Sequence, residues 1–121
     1  MERELKYIRE ATQDLDNIHD YIAENFYSEG IAKATVSKIV TGIKILKTSP
    51  GVGVSLDRKI GRKINPKYEV KMLILDQYLA FYTVTDDRVF VLRILNAKQD
   101  YMRFLNNFSA LTKKTRVNEE D

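Results

Sequence analysis

The chain has no cysteine, no tryptophan, only two prolines and a single histidine in 121 residues. The missing thiols exclude a disulfide framework, a cysteine-ligated zinc site, a thiol nucleophile and a dithiol redox motif in one step. The lone histidine, His19, leaves little material for a Ser-His-acid triad or a histidine metal site, and its neighbours Asp16 and Asp20 mark it as a surface side chain without a functional role. No unbroken apolar run approaches the ~20 residues that span a bilayer. No apolar core follows Met1-Glu2-Arg3-Glu4, so a cytoplasmic protein with no membrane partner is expected. What the chain does have is 44% hydrophobic residues, dense in Ile, Leu, Val and Tyr, which suffices for one core in one domain.

Net charge is only +3, but its distribution is uneven. Residues 1 to 30 carry eight acids against Arg3, Lys6 and Arg9, a net of −5. Residues 31 to 75 carry ten cations against Asp57 and Glu69, a net of +8. A basic field of this kind either faces solvent or attracts phosphate backbones and acidic protein surfaces.

Hydrophobic periodicity divides the chain into elements. Glu4 to Ile8 alternates as a short strand. Thr12 is the expected N-cap of a first helix with Leu15, Ile18, Ile22 and Phe26 at helical spacing, ending near Asn25. Ser28 and Gly30 introduce a second helix with the stripe Ala32, Val36, Ile39, Ile43, Leu46, stopped by Ser49-Pro50-Gly51. The short connection makes the two an antiparallel hairpin. Residues 51 to 67 lose all pattern and read as a long basic loop. Three strand-like runs follow, 69–75, 78–84 and 88–95, joined by hairpin-length turns into an antiparallel meander. In the last strand, counting by two puts Val89, Val91, Arg93 and Leu95 on one face, away from the helices, and Phe90, Leu92 and Ile94 on the other. A final amphipathic helix is expected over 98–107. The fold class is therefore α+β, with helices on one face of a small, mostly antiparallel sheet in a single domain of residues 1–108, and a polar, frayed tail at 109–121.

The sheet face opposite the helices is expected to form a concave surface, with Arg58, Lys59, Arg62 and Lys63 at its rim and Lys71, Arg93, Tyr78 or Tyr82 nearby, Tyr82 being the one favoured as core. Cations there suit phosphates, and tyrosines suit base stacking. The carboxylate row Asp16, Asp20, Glu24 reads as solvated, so neither a metal nor a cofactor is expected. Gly51-Val52-Gly53 lacks the preceding strand and the following Lys-Ser or Lys-Thr of a phosphate loop.

Several blocks together resemble the RelE/ParE superfamily of bacterial toxins. They are Ala11-Thr12-Gln13-Asp14-Leu15 with Ile18 and Tyr21-Ile22, then Ile45-Leu46 with Pro50-Gly51, then Tyr78 to Val84, Val91 to Leu95 and Lys98-Gln99-Asp100-Tyr101. The resemblance implies a toxin with a cognate antitoxin, and two possible activities. RelE-like members cut mRNA on the ribosome and place an arginine after the tyrosine that opens the middle strand, where this chain has Leu79. Without that arginine, the charge developing on the phosphate loses an electrostatic partner. ParE-like members bind DNA gyrase, and their strand pattern of tyrosine, leucine, apolar residue, phenylalanine, tyrosine matches Tyr78 to Tyr82, although Asn96 stands where they favour histidine. The gyrase-directed branch is the better fit. It implies target contact by Arg58, Lys59, Arg62, Lys63 and Arg93, with Lys98 and Tyr101 as a second contact. The nuclease branch would use Lys71, Arg93, Lys98 and Tyr101 in catalysis. A non-toxic basic binding module on the same fold is the third reading.

Overall fold

The computed structural model describes residues 2–99 and 101–104. The chain begins with strand β1 (Glu4–Tyr7) and passes directly into helix α1 (Arg9–Asn25) and then helix α2 (Glu29–Ile43). Two 3₁₀ turns, Lys44–Lys47 and Pro50–Val52, lead to the two-residue strand β2 (Val54–Ser55) and the short helix α3 (Leu56–Ile60). Strands β3 (Lys71–Leu75), β4 (Tyr78–Val84) and β5 (Arg88–Asn96) follow, and a 3₁₀ turn spans Tyr101–Phe104. The five strands form one sheet in the order β1-β5-β4-β3-β2, antiparallel except for β1 beside β5. This is the α+β architecture expected from the sequence. Among the described residues no helix is long and apolar enough to cross a membrane. The expected helix over 98–107 falls partly, and the expected tail wholly, outside the described residues.

α1 starts three residues before the expected cap. Ile8 is still in the ladder, donating its N–H to the Val91 carbonyl at 3.1 Å, while its own carbonyl accepts from Ala11 and Thr12. The strand thus hands the chain to the helix with no capping side chain. α2 is capped as its sequence suggests: Ser28 Oγ accepts from the Ile31 N–H at 3.1 Å. Its stripe holds, with Ala32, Ile39, Ile43 and Leu46 buried. Each large aliphatic removed from water in this way is worth about 1.5–3 kcal/mol. α2 lies close on β3, since a Cβ at Gly42 would stand 2.7 Å from Leu75 Cδ2.

Two expectations are corrected. The stretch 51–67 is not a loop throughout, because it contains β2 and α3. β2 is defined only by its pairing with Lys71 and Met72, a non-local contact that leaves no periodic trace in two residues. The faces of β5 are also reassigned. Tyr82 pairs with Val91 and Phe81 with Arg93, so Leu92 is an extra, bulged residue. Beyond the bulge the alternation is inverted: Val89, Val91 and Ile94 share the side that carries Leu75 and α2, and Phe90, Arg93 and Leu95 share the other. Arg93 and Leu95 lie on the face opposite α2, but Val89 and Val91 do not, and Arg93 is not clear of the helices as expected, because its guanidinium turns to Asp14 of α1. That far face is closed over β4 and β5 and stays open only toward its β2–β3 edge, where Ile74 is exposed. Met72, Leu79, Phe81, Thr83, Phe90 and Leu95 are all buried, with the Tyr101 ring tilted 49° against Phe81 at 5.5 Å between ring centroids.

Candidate functional site

An open surface lies at the β2–β3 edge of the sheet. An open groove of about 700 Å³ is lined by Gly51, Gly53, Val54, Ser55, Arg58, Lys59, Glu69, Lys71, Met72 and Ile74. Its floor is apolar and wet: Ile74 is 60% exposed and Val54 47%. β2 pairs with only the first two residues of β3, which is why the rest of that edge meets solvent.

The rim is built by α3. Ser55 Oγ accepts from the Arg58 N–H at 3.2 Å and so caps the helix. Gly61 closes it in the left-handed region at φ 88°, a conformation that glycine adopts without strain. Arg58 and Lys59 stand exposed on this short helix. The basic segment beyond it has no regular structure, yet it is pinned by side chains. Asp57 accepts from the Ile64 N–H, and the buried Asn65 accepts from the N–H groups of Lys67 and Tyr68 around Pro66. Glu69 sits among the cations. A hydrogen bond from Ser55, followed by the charges of Lys71, Arg58 and Lys63, holds its carboxyl below the usual range. Its ion pair with Lys71 is 3.8 Å long.

The far wall of the groove is a lock on Tyr82. The buried phenol donates to the Pro50 carbonyl at 2.7 Å and accepts from the Gly53 N–H at 3.0 Å. Burial raises its pKa above the ordinary tyrosine value of 10.0. Tyr82 is core, as expected, and its hydroxyl fixes Gly51-Val52-Gly53 against the sheet.

Of the residues singled out in the sequence, the structure brings Arg58, Lys59 and Lys71 into one groove, with Lys63 close enough to act on Glu69. Arg62 is exposed beside them but does not line the groove. Arg93 is elsewhere. It makes a two-pronged ion pair with Asp14 of α1, Nε at 2.8 Å and Nη2 at 2.9 Å, and Phe104 lies over its guanidinium at 4.8 Å. Lys98 is exposed in the turn after β5, where its N–H donates to Asn96 Oδ1. Tyr101 packs on Phe81. Ser55, Glu69 and the Val54–Ile74 floor were not singled out. Their one sequence signal is Ser55 two residues before Asp57 with Gly61 after Ile60, the start and stop of a short capped helix.

Outside the groove, His19 has more to do than its sequence context suggests. Its Nε2 meets Glu29 of α2 at 2.8 Å and its Nδ1 meets Asp20 at 3.1 Å, which ties the two helices together. Asp20, then Glu29, raises its pKa above the ordinary 6.5. With the folded value above the unfolded one, the tie contributes fully below the unfolded pKa and is lost as pH rises through the folded one. An NMR titration of this single imidazole is expected to give a midpoint above 6.5 that falls in Glu29→Gln. A wild-type midpoint at or below 6.5 would show that the tie does not form.

The sequence of residues 5–101 matches the family model described as ParE toxin of type II toxin-antitoxin system, parDE. The chain belongs to the ParE toxin family. No curated protein matches it. Among solved structures it is similar to a chain of the chromosomal ParDE toxin-antitoxin system from P. aeruginosa, with a TM-score of 0.63 and 24% identity over 79% of this chain and 97% of that one. It is also similar to a chain of the archaeal RelE-RelB complex from Pyrococcus horikoshii OT3, with a TM-score of 0.56 and 14% identity over 82% of this chain and 99% of that one. At these identities the two likenesses concern the fold. Family membership rests on the sequence match, which takes in every element from β1 to the start of the last 3₁₀ turn.

Proposed function

We propose that this ParE-family chain arrests growth by binding a protein target, DNA gyrase, without cutting RNA, and that its cognate antitoxin competes for the same basic groove. The observation that carries the reading is the state of Arg93. Its guanidinium is already neutralised by Asp14 on both prongs, so it is poorly placed to stabilise a second anion on a reacting phosphate. Leu79, at the position where nucleolytic relatives are expected to carry arginine, is buried core. The groove suits a protein surface: exposed Val54 and Ile74 offer apolar area, and Arg58, Lys59 and Lys71 form a cationic rim for an acidic segment. Arg62 and Lys63 extend that rim, with Lys98 and Tyr101 as a separate contact.

Pulse labelling of DNA and protein synthesis in the minutes after induced expression tests the reading, with Lys59→Glu as the groove-reversed control. DNA synthesis is expected to fall first with the parent chain and to be spared by Lys59→Glu. A first fall in protein synthesis would replace gyrase with ribosome-bound mRNA as the target. Unimpaired growth would leave a binding module without toxic activity.

A further inference from the structure

The connection between α1 and α2 carries residues the fold does not use. Phe26 ends α1, and Tyr27 follows it at φ 51°. This is the left-handed position at which helices ordinarily place glycine or asparagine, because a Cβ there crowds the backbone. Tyr27 nonetheless projects a ring that is 91% exposed, and Phe26 before it and Ile31 in the first turn of α2 are each more than half exposed. Neither turn geometry nor core packing calls for a tyrosine here. A local rule broken with no gain to the fold points to a contact made outside it. Exposed Glu24, with Asp20 and Glu29 that also hold His19 between them, gives this apex an acidic rim.

Its complement is on the same chain. The groove at the other end of α2 offers an exposed apolar floor, Val54 and Ile74, inside a cationic rim, Arg58, Lys59 and Lys71. We propose that the α1–α2 apex of one copy docks into the basic groove of a second copy, so that the free chain associates with itself head to tail. Aromatic anchors then meet the apolar floor, and acids meet cations around it. The contact forms between copies because α2 is a rigid rod of 15 residues, about 22 Å, running from the apex toward the groove. Two different patches meet, so association continues past the dimer unless a ring closes. Copies held in this way cover the surface assigned above to the partner. The readout below is mass, so it stands or fails independently of the gyrase assignment.

Sedimentation equilibrium of the full chain at low salt tests the proposal. The weight-average mass is expected to rise with concentration above the 14.1 kDa of the monomer and to fall again on adding salt. Tyr27→Gly is expected to weaken association at least ~10-fold, a loss appropriate to an anchor residue, while raising the melting temperature, because glycine suits the left-handed backbone. Lys59→Glu weakens it too. An equimolar mixture of the two variants is expected to form a one-to-one dimer and nothing larger, the intact apex of one entering the intact groove of the other. A wild type that stays monomeric, a Tyr27→Gly variant that associates like the parent, or a mixture that stays monomeric would each overturn the proposal.

Discussion

Replacing Asp14 with alanine is expected to cost about 3–5 kcal/mol of folding stability, the range for removing one partner of a buried ion pair. The carboxylate has three donors: Arg93 Nε, Arg93 Nη2 and the Ile94 N–H at 2.8 Å. Both side chains are largely withdrawn from water. Alanine would leave a buried guanidinium without its anion and a buried backbone N–H without an acceptor, so two desolvation penalties fall together. A domain of this size has roughly 5–15 kcal/mol in total, and the variant should therefore be partly unfolded near 37 °C. Urea denaturation followed by circular dichroism measures the shift in midpoint. The double variant Asp14→Ala/Arg93→Met is expected to recover a large part of the loss, because no uncompensated charge remains. A cost under about 1 kcal/mol for Asp14→Ala, typical of an exposed pair, would mean that the pair is solvated. The same reasoning bears on experiments at Arg93. Arg93→Glu sets two carboxylates against each other, so its loss of activity would report misfolding rather than a missing target contact. Reversal at exposed Lys59 does not have that defect.

Gly53→Ala is expected to cost about 1–3 kcal/mol, the usual range for forcing an extra methyl into a packed site. A Cβ there would stand 2.5 Å from Tyr82 Oη and 2.8 Å from the Met72 carbonyl oxygen. Neither neighbour can give easily. Tyr82 is fully buried and hydrogen-bonded at both ends of the lock, and the Met72 carbonyl belongs to the β3 backbone. The strain is expected to release the 51–53 wall from the sheet and so to weaken partner binding along with stability. Gly51→Ala is the matched control, since a Cβ at Gly51 meets nothing within 4 Å, and its effect should stay within about 0.5 kcal/mol. Equal midpoints for the two variants in thermal denaturation would contradict the lock. Adding Tyr82→Phe should relieve part of the Gly53→Ala penalty, a coupling that a double-mutant cycle would measure.

Much of the fold was legible because helices and hairpins are written locally. The α2 stripe, the Ser28 cap, the β3–β4 and β4–β5 turns and the buried Tyr82 all follow from residues within a few positions of one another. So did the basic rim, because Arg58, Lys59 and Lys63 are close together in the chain. Asp14 stood out only as part of the Ala11-to-Leu15 block, and nothing nearby in sequence links it to Arg93, 79 residues away. His19 looked like a surface side chain because its second partner, Glu29, lies across the helix hairpin. The bulge at Leu92 escaped for another reason. Val89 to Leu95 is apolar at every position but Arg93, and a single polar residue does not mark where an alternation slips.

By itself the sequence determined the strand before α1, the helices α1 and α2 and the meander β3–β5, that they form an α+β domain, and that its charge is divided into an acidic first part and a basic second part. It also carried enough ordered similarity to place the chain in its family. Only the tertiary structure decided that β2 exists, that the far face of the sheet is closed over β4 and β5, that Arg93 belongs to Asp14, and that Arg58, Lys59 and Lys71 share a groove at the β2–β3 edge. Periodicity records which way a side chain points relative to its own neighbours. Which distant group it meets depends on how the elements pack, and the desolvation of Asp14 and Arg93 takes effect only once that packing is complete.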